Sequence, residues 1–193
     1  MQTAVGTRVA FKEWAVTVRA LADGRQIVLV RKGGIREEGR VFRVEEPRFL
    51  LYPTYEHQRA DLLQPQYHPD LQAALADAPP PNTLRVSHWA EVTDIFQTFE
   101  ADEVRALAPH YVWTTAYAEE RLRWQPKKPL YVLLLRVYRL AESHTLPVVP
   151  SYLGCKSWVE LDQPISLDGM VPVLDDAAYD ARRATVRKLV NAD

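Results

Sequence analysis

Cysteine is almost missing from this chain: Cys155 is the only one in 193 residues. A lone thiol forms no internal disulfide and excludes a multi-cysteine zinc site. With no base beside it in sequence, Cys155 reads as a small buried thiol rather than a nucleophile. Long apolar runs are missing too. The longest, such as residues 131–135, fall far short of the roughly 20 residues that cross a bilayer. Residues 1–6 show no basic segment followed by an apolar one, so no secretory signal and no membrane partner are expected, and the expected location is cytoplasmic. The histidines, at positions 57, 68, 88, 110 and 144, fall in no metal-ligand spacing, so no metal and no other cofactor is expected. No lysine has an acid two positions before it, which removes the (Asp/Glu)-x-Lys of metal-dependent nucleases. A Gly-x-Ser-x-Gly elbow, a Walker-type loop, internal repeats and low-complexity tracts are absent as well.

What is present suits one globular domain spanning residues 1–193, with 47% apolar and 25% charged residues. The net charge of −1 hides a segregation: residues 1–60 carry 11 Lys/Arg against 7 Asp/Glu, residues 61–120 carry 2 against 10, and residues 121–193 carry 11 against 8. An acidic middle between basic ends can fold into one positive and one negative face, and a local positive face is enough to steer an anion. Incidental clustering on a solvated surface is the plainer alternative.

Phe11, Trp14, Ala15, Val18, Leu21 and Ala22 share one face at helical spacing, which predicts an amphipathic helix ended by Asp23-Gly24. Trp14 reads as core. Strands are expected over residues 26–31, 41–45, 49–52, 84–92 with an extension to 99, 130–140 and 156–161. Thr54 reads as the N-cap of a helix over 55–63, and a second helix is expected from His68 to Ala76, so that residues 55–80 form a helical insertion. Further helices are expected over 102–108, after Thr114 or Thr115, and over 175–190, where acids lead and Arg182, Arg183, Arg187 and Lys188 follow, as the helix dipole prefers. Strands without regular β-α-β alternation argue against a doubly wound sheet. The expected fold is α+β: a small mixed β-barrel decorated by helices, with the insertion and a C-terminal helix.

Residues 24–58 concentrate the candidate chemistry. Arg31 and Lys32 end a strand and run into Gly33-Gly34, and backbone nests of that kind suit oxyanions. Arg43 adds a further cation on the returning strand. Glu37, Glu38 and Glu45 dilute this group, so a solvated hairpin with surface ion pairs is the alternative. Tyr52, Thr54, Tyr55, His57 and Gln58 then offer rings and hydrogen-bonding groups at a strand end. They suit base stacking, worth about 1–3 kcal/mol, and base-edge reading. The alternative makes Tyr52 core and His57 a turn residue. Lys156, Ser157 and Trp158 open a later strand, where Trp158 either walls an aromatic cage or plugs the barrel end.

The segments Lys12-Glu13-Trp14-Ala15 and Gly24-Arg25-Gln26, residues 29–35 and residues 49–58 resemble Domain of Unknown Function family 1802. Leu135-Arg136-Val137-Tyr138 and residues 154–159 extend that likeness to roughly residues 9–164. The family is uncharacterised and bacterial. The occurrence of members with Mrr-like restriction endonuclease domains implies a role in handling foreign or modified DNA, and a nuclease or defence protein as partner. Gly24-x-Gln26-x-x-Leu29-x-Arg31 resembles the Gly-x-Lys-x-x-Glu-x-Arg strand of ASCH and related PUA-like domains, with Gln for Lys and Leu for Glu. That likeness implies a barrel that recognises RNA or modified bases, and the two replacements count against catalysis more than against binding.

Three functions stay open on these grounds. The first is a nucleic-acid-binding module, for DNA or RNA, that reads modified or flipped bases. The second is an enzyme on nucleic acid or modified nucleosides, with Glu56 and His57 as acid and base. The third is an interaction subunit that docks through the acidic middle.

Overall fold

The structure is a computed structural model that describes residues 6–32, 46–154 and 156–190, with only the backbone of 35–38 and 41–44. Gly33, Gly34 and Cys155 lie outside the described residues, and Arg43 is described by its backbone alone. Strand β1 (Gly6–Trp14) passes directly into helix α1 (Ala15–Ala22). Residues 11–14, expected to open that helix, are therefore strand. The reason is pairing on both sides: Phe11 lies opposite Leu51 in one ladder and Trp158 in the other. Its ring also packs 5.2 Å from Phe49 and 4.7 Å from Trp158. Sheet context of that kind overrides a local helix spacing.

Strand β2 (Val28–Arg31) follows, then a separate antiparallel hairpin of β3 (Ile35–Glu38) and β4 (Val41–Val44), then β5 (Arg48–Thr54). Helix α2 (His68–Ala76) has the bounds the sequence suggests, and leads to β6 (Thr83–Thr98). Helices α3 (Ala101–Ala106) and α4 (Thr115–Arg123) bridge to β7 (Leu130–Pro147). Strand β8 (Trp158–Ser166), the short β9 (Val171–Pro172) and helix α5 (Asp176–Val190) complete the described chain. Among the described residues no helix is long and apolar enough to cross a membrane.

The fold is α+β, with one seven-stranded mixed sheet in the order β2-β7-β6-β5-β1-β8 and β9 on β7. Among the described residues only the β1–β5 pair is parallel. The sheet curls as a barrel would, but among the described residues its hydrogen-bond ladder is not closed, and β2 and β8 form its two ends. The inner face gathers Leu29 of β2, Phe11 of β1, Phe49 and Leu51 of β5, and Leu133 and Leu135 of β7, with Trp158 of β8 packed against them. A side chain spans the open seam. Arg31 at the end of β2 donates through Nη2 to Ser157 Oγ, next to β8, at 2.6 Å, and through Nη1 to Glu13 Oε2 of β1 at 3.2 Å. Outside the sheet, the helices cover Leu130, Val132 and Leu134 of β7 in a second apolar cluster.

The helix expected over 55–63 does not form. Thr54 stays in β5 opposite Trp14, and its hydroxyl donates to the Glu13 carbonyl at 3.1 Å, so it caps nothing. The chain turns at Glu56 and His57, with His57 at a left-handed φ of 60°, and reaches only a short 3₁₀ turn at Ala60–Leu62. Gln58 instead accepts the Val16 N–H at 3.2 Å, satisfying a first-turn donor that α1 leaves open.

Two loops meet beside this turn. Leu63 bridges Trp113, Gln64 N–H donates to Val112 O at 2.9 Å, and Thr114 N–H donates to Leu62 O at 2.9 Å. From the other side, buried Gln26 accepts the Val112 N–H at 3.0 Å while its own amide donates to Val28 O at 2.6 Å. The loop carrying Trp113 is thus fixed to the start of β2. Thr114 accepts the Tyr117 N–H at 3.2 Å and caps α4, as the sequence suggests.

Candidate functional site

An open cleft of about 670 Å³ lies between the ends of β1 and β2, helix α4 and the segment before β8. That size falls within the roughly 300–1,000 Å³ of ligand sites. One wall is aromatic. Trp14 and Trp113 meet edge to face with ring centres 4.8 Å apart, and Trp113 meets Tyr117 at the same distance. Trp124 extends the wall at the C-terminal end of α4 and stays 51% exposed. Trp113 is itself buried in the apolar cluster under the helices, so it backs Trp14 and Tyr117, and the indole that stands open is that of Trp124.

The other wall is cationic: Lys12, Arg31, Lys32, Arg121 and Lys156 face the same space as Glu13, the single lining carboxylate among the described residues. Arg31 is held between Glu13 and Ser157, with its guanidinium 4.7 Å from the centre of the Phe11 ring. Lys32 donates to the Leu122 carbonyl at 2.6 Å, and burial holds its ammonium below the ordinary lysine range. Lys12 donates to the carbonyls of Tyr152 and Gly154, and Lys156 to Ser151 O at 3.2 Å. Arg121 donates twice to the Tyr117 hydroxyl, at 2.6 and 2.9 Å, so the two walls are joined along α4. The buried Glu13 carboxylate also accepts the Trp14 N–H at 2.8 Å, and Thr54 and Ser157 add hydroxyls to the lining. Excess positive charge beside aromatic rings attracts a planar anion. Among the described residues no cluster of His, Cys, Asp and Glu could hold a metal ion.

Of the residues singled out from sequence, Arg31, Lys32, Thr54, Lys156 and Ser157 line this cleft. Trp158 stands behind it, plugging the inner face against Phe11 and Phe49 at 4.7 and 5.2 Å. Tyr52 is buried in a third cluster with Ala10 and Leu50, with the Lys12 ammonium 5.5 Å from its ring centre; burial, then Tyr152 and Glu56, pushes its phenol up. Tyr55 is half-buried beside Arg85 and Asp77, with its phenol raised mainly by burial. It does not reach the cleft. Glu56 and His57 sit exposed on the turn, and Gln58 serves α1. The expected base-reading group of Tyr52, Tyr55, His57 and Gln58 is therefore not at the cleft, because β5 runs on through Thr54 and the turn carries the next residues away.

The aromatic wall has little local signature. Trp14 packs against the apolar cluster, as the sequence suggests, while also lining the cleft, and Trp113, Tyr117 and Trp124 come from a distant part of the chain. One signal did exist: residues 121–128 place four cations around Trp124 with no acid among them.

The architecture is thus a curled mixed sheet whose open seam borders an aromatic and cationic cleft. The chain belongs to the family described as Domain of unknown function (DUF1802), whose model matches residues 10–185, in agreement with the resemblance read from the sequence. No curated protein matches it. Among solved structures it is similar to the crystal structure of ASCH from Zymomonas mobilis, at 12% identity and a TM-score of 0.44, over 80% of this chain and 87% of that one. It is also similar to a serine-to-alanine mutant of the Zymomonas mobilis protein, at 12% identity and a TM-score of 0.38, over 94% and 99% of the two chains.

Proposed function

We propose that this chain binds nucleic acid by taking one unstacked base onto the Trp14 and Tyr117 rings, which the buried Trp113 backs, and the adjoining phosphate onto Arg31, Lys32 and Lys156. The observation that supports this reading is the union of both walls in one 670 Å³ cleft. An aromatic face alone would suit many apolar ligands, and a cationic bank alone would suit any anion. A nucleotide needs both. Stacking contributes about 1–3 kcal/mol per base. In this reading the Thr54 and Ser157 hydroxyls and the Glu13 carboxylate, which share the lining, serve the base edge, Glu13 through lone pairs beyond those that accept Trp14 N–H and Arg31. A flipped base is the form most easily presented to such a cleft, since it is already out of the stack, and a damaged or mismatched base costs less to extrude than a normal paired one.

The test is titration with short DNA and RNA, plain and base-modified, at two salt concentrations, read by tryptophan quenching. Binding should weaken with salt, because phosphate contacts release counterions. Arg31→Ala should weaken all sequences alike and lower the salt slope by about 1. Absent or salt-insensitive binding would remove the proposal.

A further inference from the structure

Beyond the cleft, the surface continues in the same chemistry. Past Arg121 and Trp124, which line it, come Arg123, Lys127 and Lys128, all exposed. The turn that carries them has a defined shape. The Trp124 N–H closes α4 on Glu120 O at 2.9 Å, Gln125 takes a φ of 52°, and the Lys128 N–H donates to Gln125 O at 2.9 Å. The bond from Lys32 to Leu122 O ties this helix end to β2, so the basic turn and Arg31 share one mouth.

Helix stability explains part of this surface. Arg121 and Arg123 sit in the last turn of α4, where cations interact well with the dipole. It does not explain Lys127 and Lys128, which lie past the helix and make no ion pair among the described residues, or an indole left half in water. Among the described residues the segment's one ion pair, Arg123 to Glu119 at 3.5 Å, is an exposed contact of little energetic weight.

Resting on the reading above, we infer that the ligand is a single strand longer than one nucleotide, which leaves the cleft across Trp124 and lays its following phosphates on Arg123, Lys127 and Lys128. Bases of a single strand can lie flat on an exposed indole, whereas those of a duplex are already stacked on each other.

The experiment compares a nucleoside monophosphate, single-stranded oligonucleotides of two to about eight residues, a duplex of the same sequence, and inorganic polyphosphate. Affinity should rise with strand length and exceed that for duplex and polyphosphate. A variant with Arg123→Ser, Lys127→Ser and Lys128→Ser, all surface changes, should keep its melting temperature and its monophosphate affinity. It should lose about tenfold for the longer strands, with the slope of log K against log salt reduced by about 2. Trp124→Ala should weaken the oligonucleotide and leave polyphosphate unchanged. Monophosphate binding with no gain on lengthening overturns this inference and leaves the cleft reading intact, as does duplex or polyphosphate bound as tightly as the strand. No binding of any nucleotide overturns the reading on which it rests.

Discussion

Gln26 uses both ends of its buried amide, donating to Val28 O and accepting from Val112, and so holds the loop on which Trp113 stands. Replacing it with Leu would leave the Val28 carbonyl and the Val112 N–H without those partners. We expect a loss of roughly 1–3 kcal/mol in urea unfolding, with a shift in tryptophan emission. Glu56→Gln and Tyr55→Ala, on the exposed turn and beside Arg85, should leave nucleotide affinity within experimental error. His88 gives a pH handle apart from the cleft. Burial, then the charge of Arg139 opposite it on β7, lowers its pKa to about 4. The unfolded chain binds the proton more readily, so this residue's contribution is retained above the ordinary His range and lost as pH falls from about 6.5 toward 4. The loss should reach about 2 kcal/mol after solvent screening. His88→Gln should flatten that part of the urea-stability profile, while Asp94 still titrates. Burial alone would raise the Asp94 carboxyl, but hydrogen bonds from Arg183 and Thr93, with the charges of Arg183 and Arg187, hold it below its usual range.

At the scale of elements, α4 brings Tyr117, Arg121 and Trp124 to one side of the cleft, and its start depends on one hydroxyl. Thr114→Ala should cost about 1 kcal/mol by thermal unfolding and weaken nucleotide binding in the same variant, because the ring pair at 4.8 Å is set by that first turn. Elements whose signals agree were legible in the sequence: α2 between its proline and its loop, α4 after Thr114, β7 as an apolar run, α5 by charge order. Elements with conflicting signals were not. Residues 11–14 share the spacing of the helix that follows, and only the ladders to β5 and β8 make them strand. Residues 55–63 look like a capped helix until Gln58 is committed to α1. The site follows the same division. Arg31 and Lys32 end a strand and could be read locally, while Trp14 and Trp113 become neighbours through distant contacts, the pairing of residues 62–64 with 112–114 and the Gln26 bond that holds the same loop.

Across the whole molecule, the charge segregation acquires a place. The five lining cations all come from residues 1–60 and 121–193, and the acidic middle supplies Trp113 and Tyr117 instead. The curled sheet turns two distant basic segments into one bank. Its seam, spanned by Arg31 and without a ladder between β2 and β8 among the described residues, also belongs to this scale. A phosphate that reaches Arg31 must compete with Glu13 for the same guanidinium, so occupancy and the fastening of the sheet draw on one side chain. Backbone amides of Val30 and Trp158 should exchange hydrogen at a rate that changes on ligand addition, while those in the middle of the β6–β7 ladder stay as they were. A protein latched in this way would register its guest as a change in how firmly it is shut, and Trp158, wedged behind the latch, is the natural place to watch it happen.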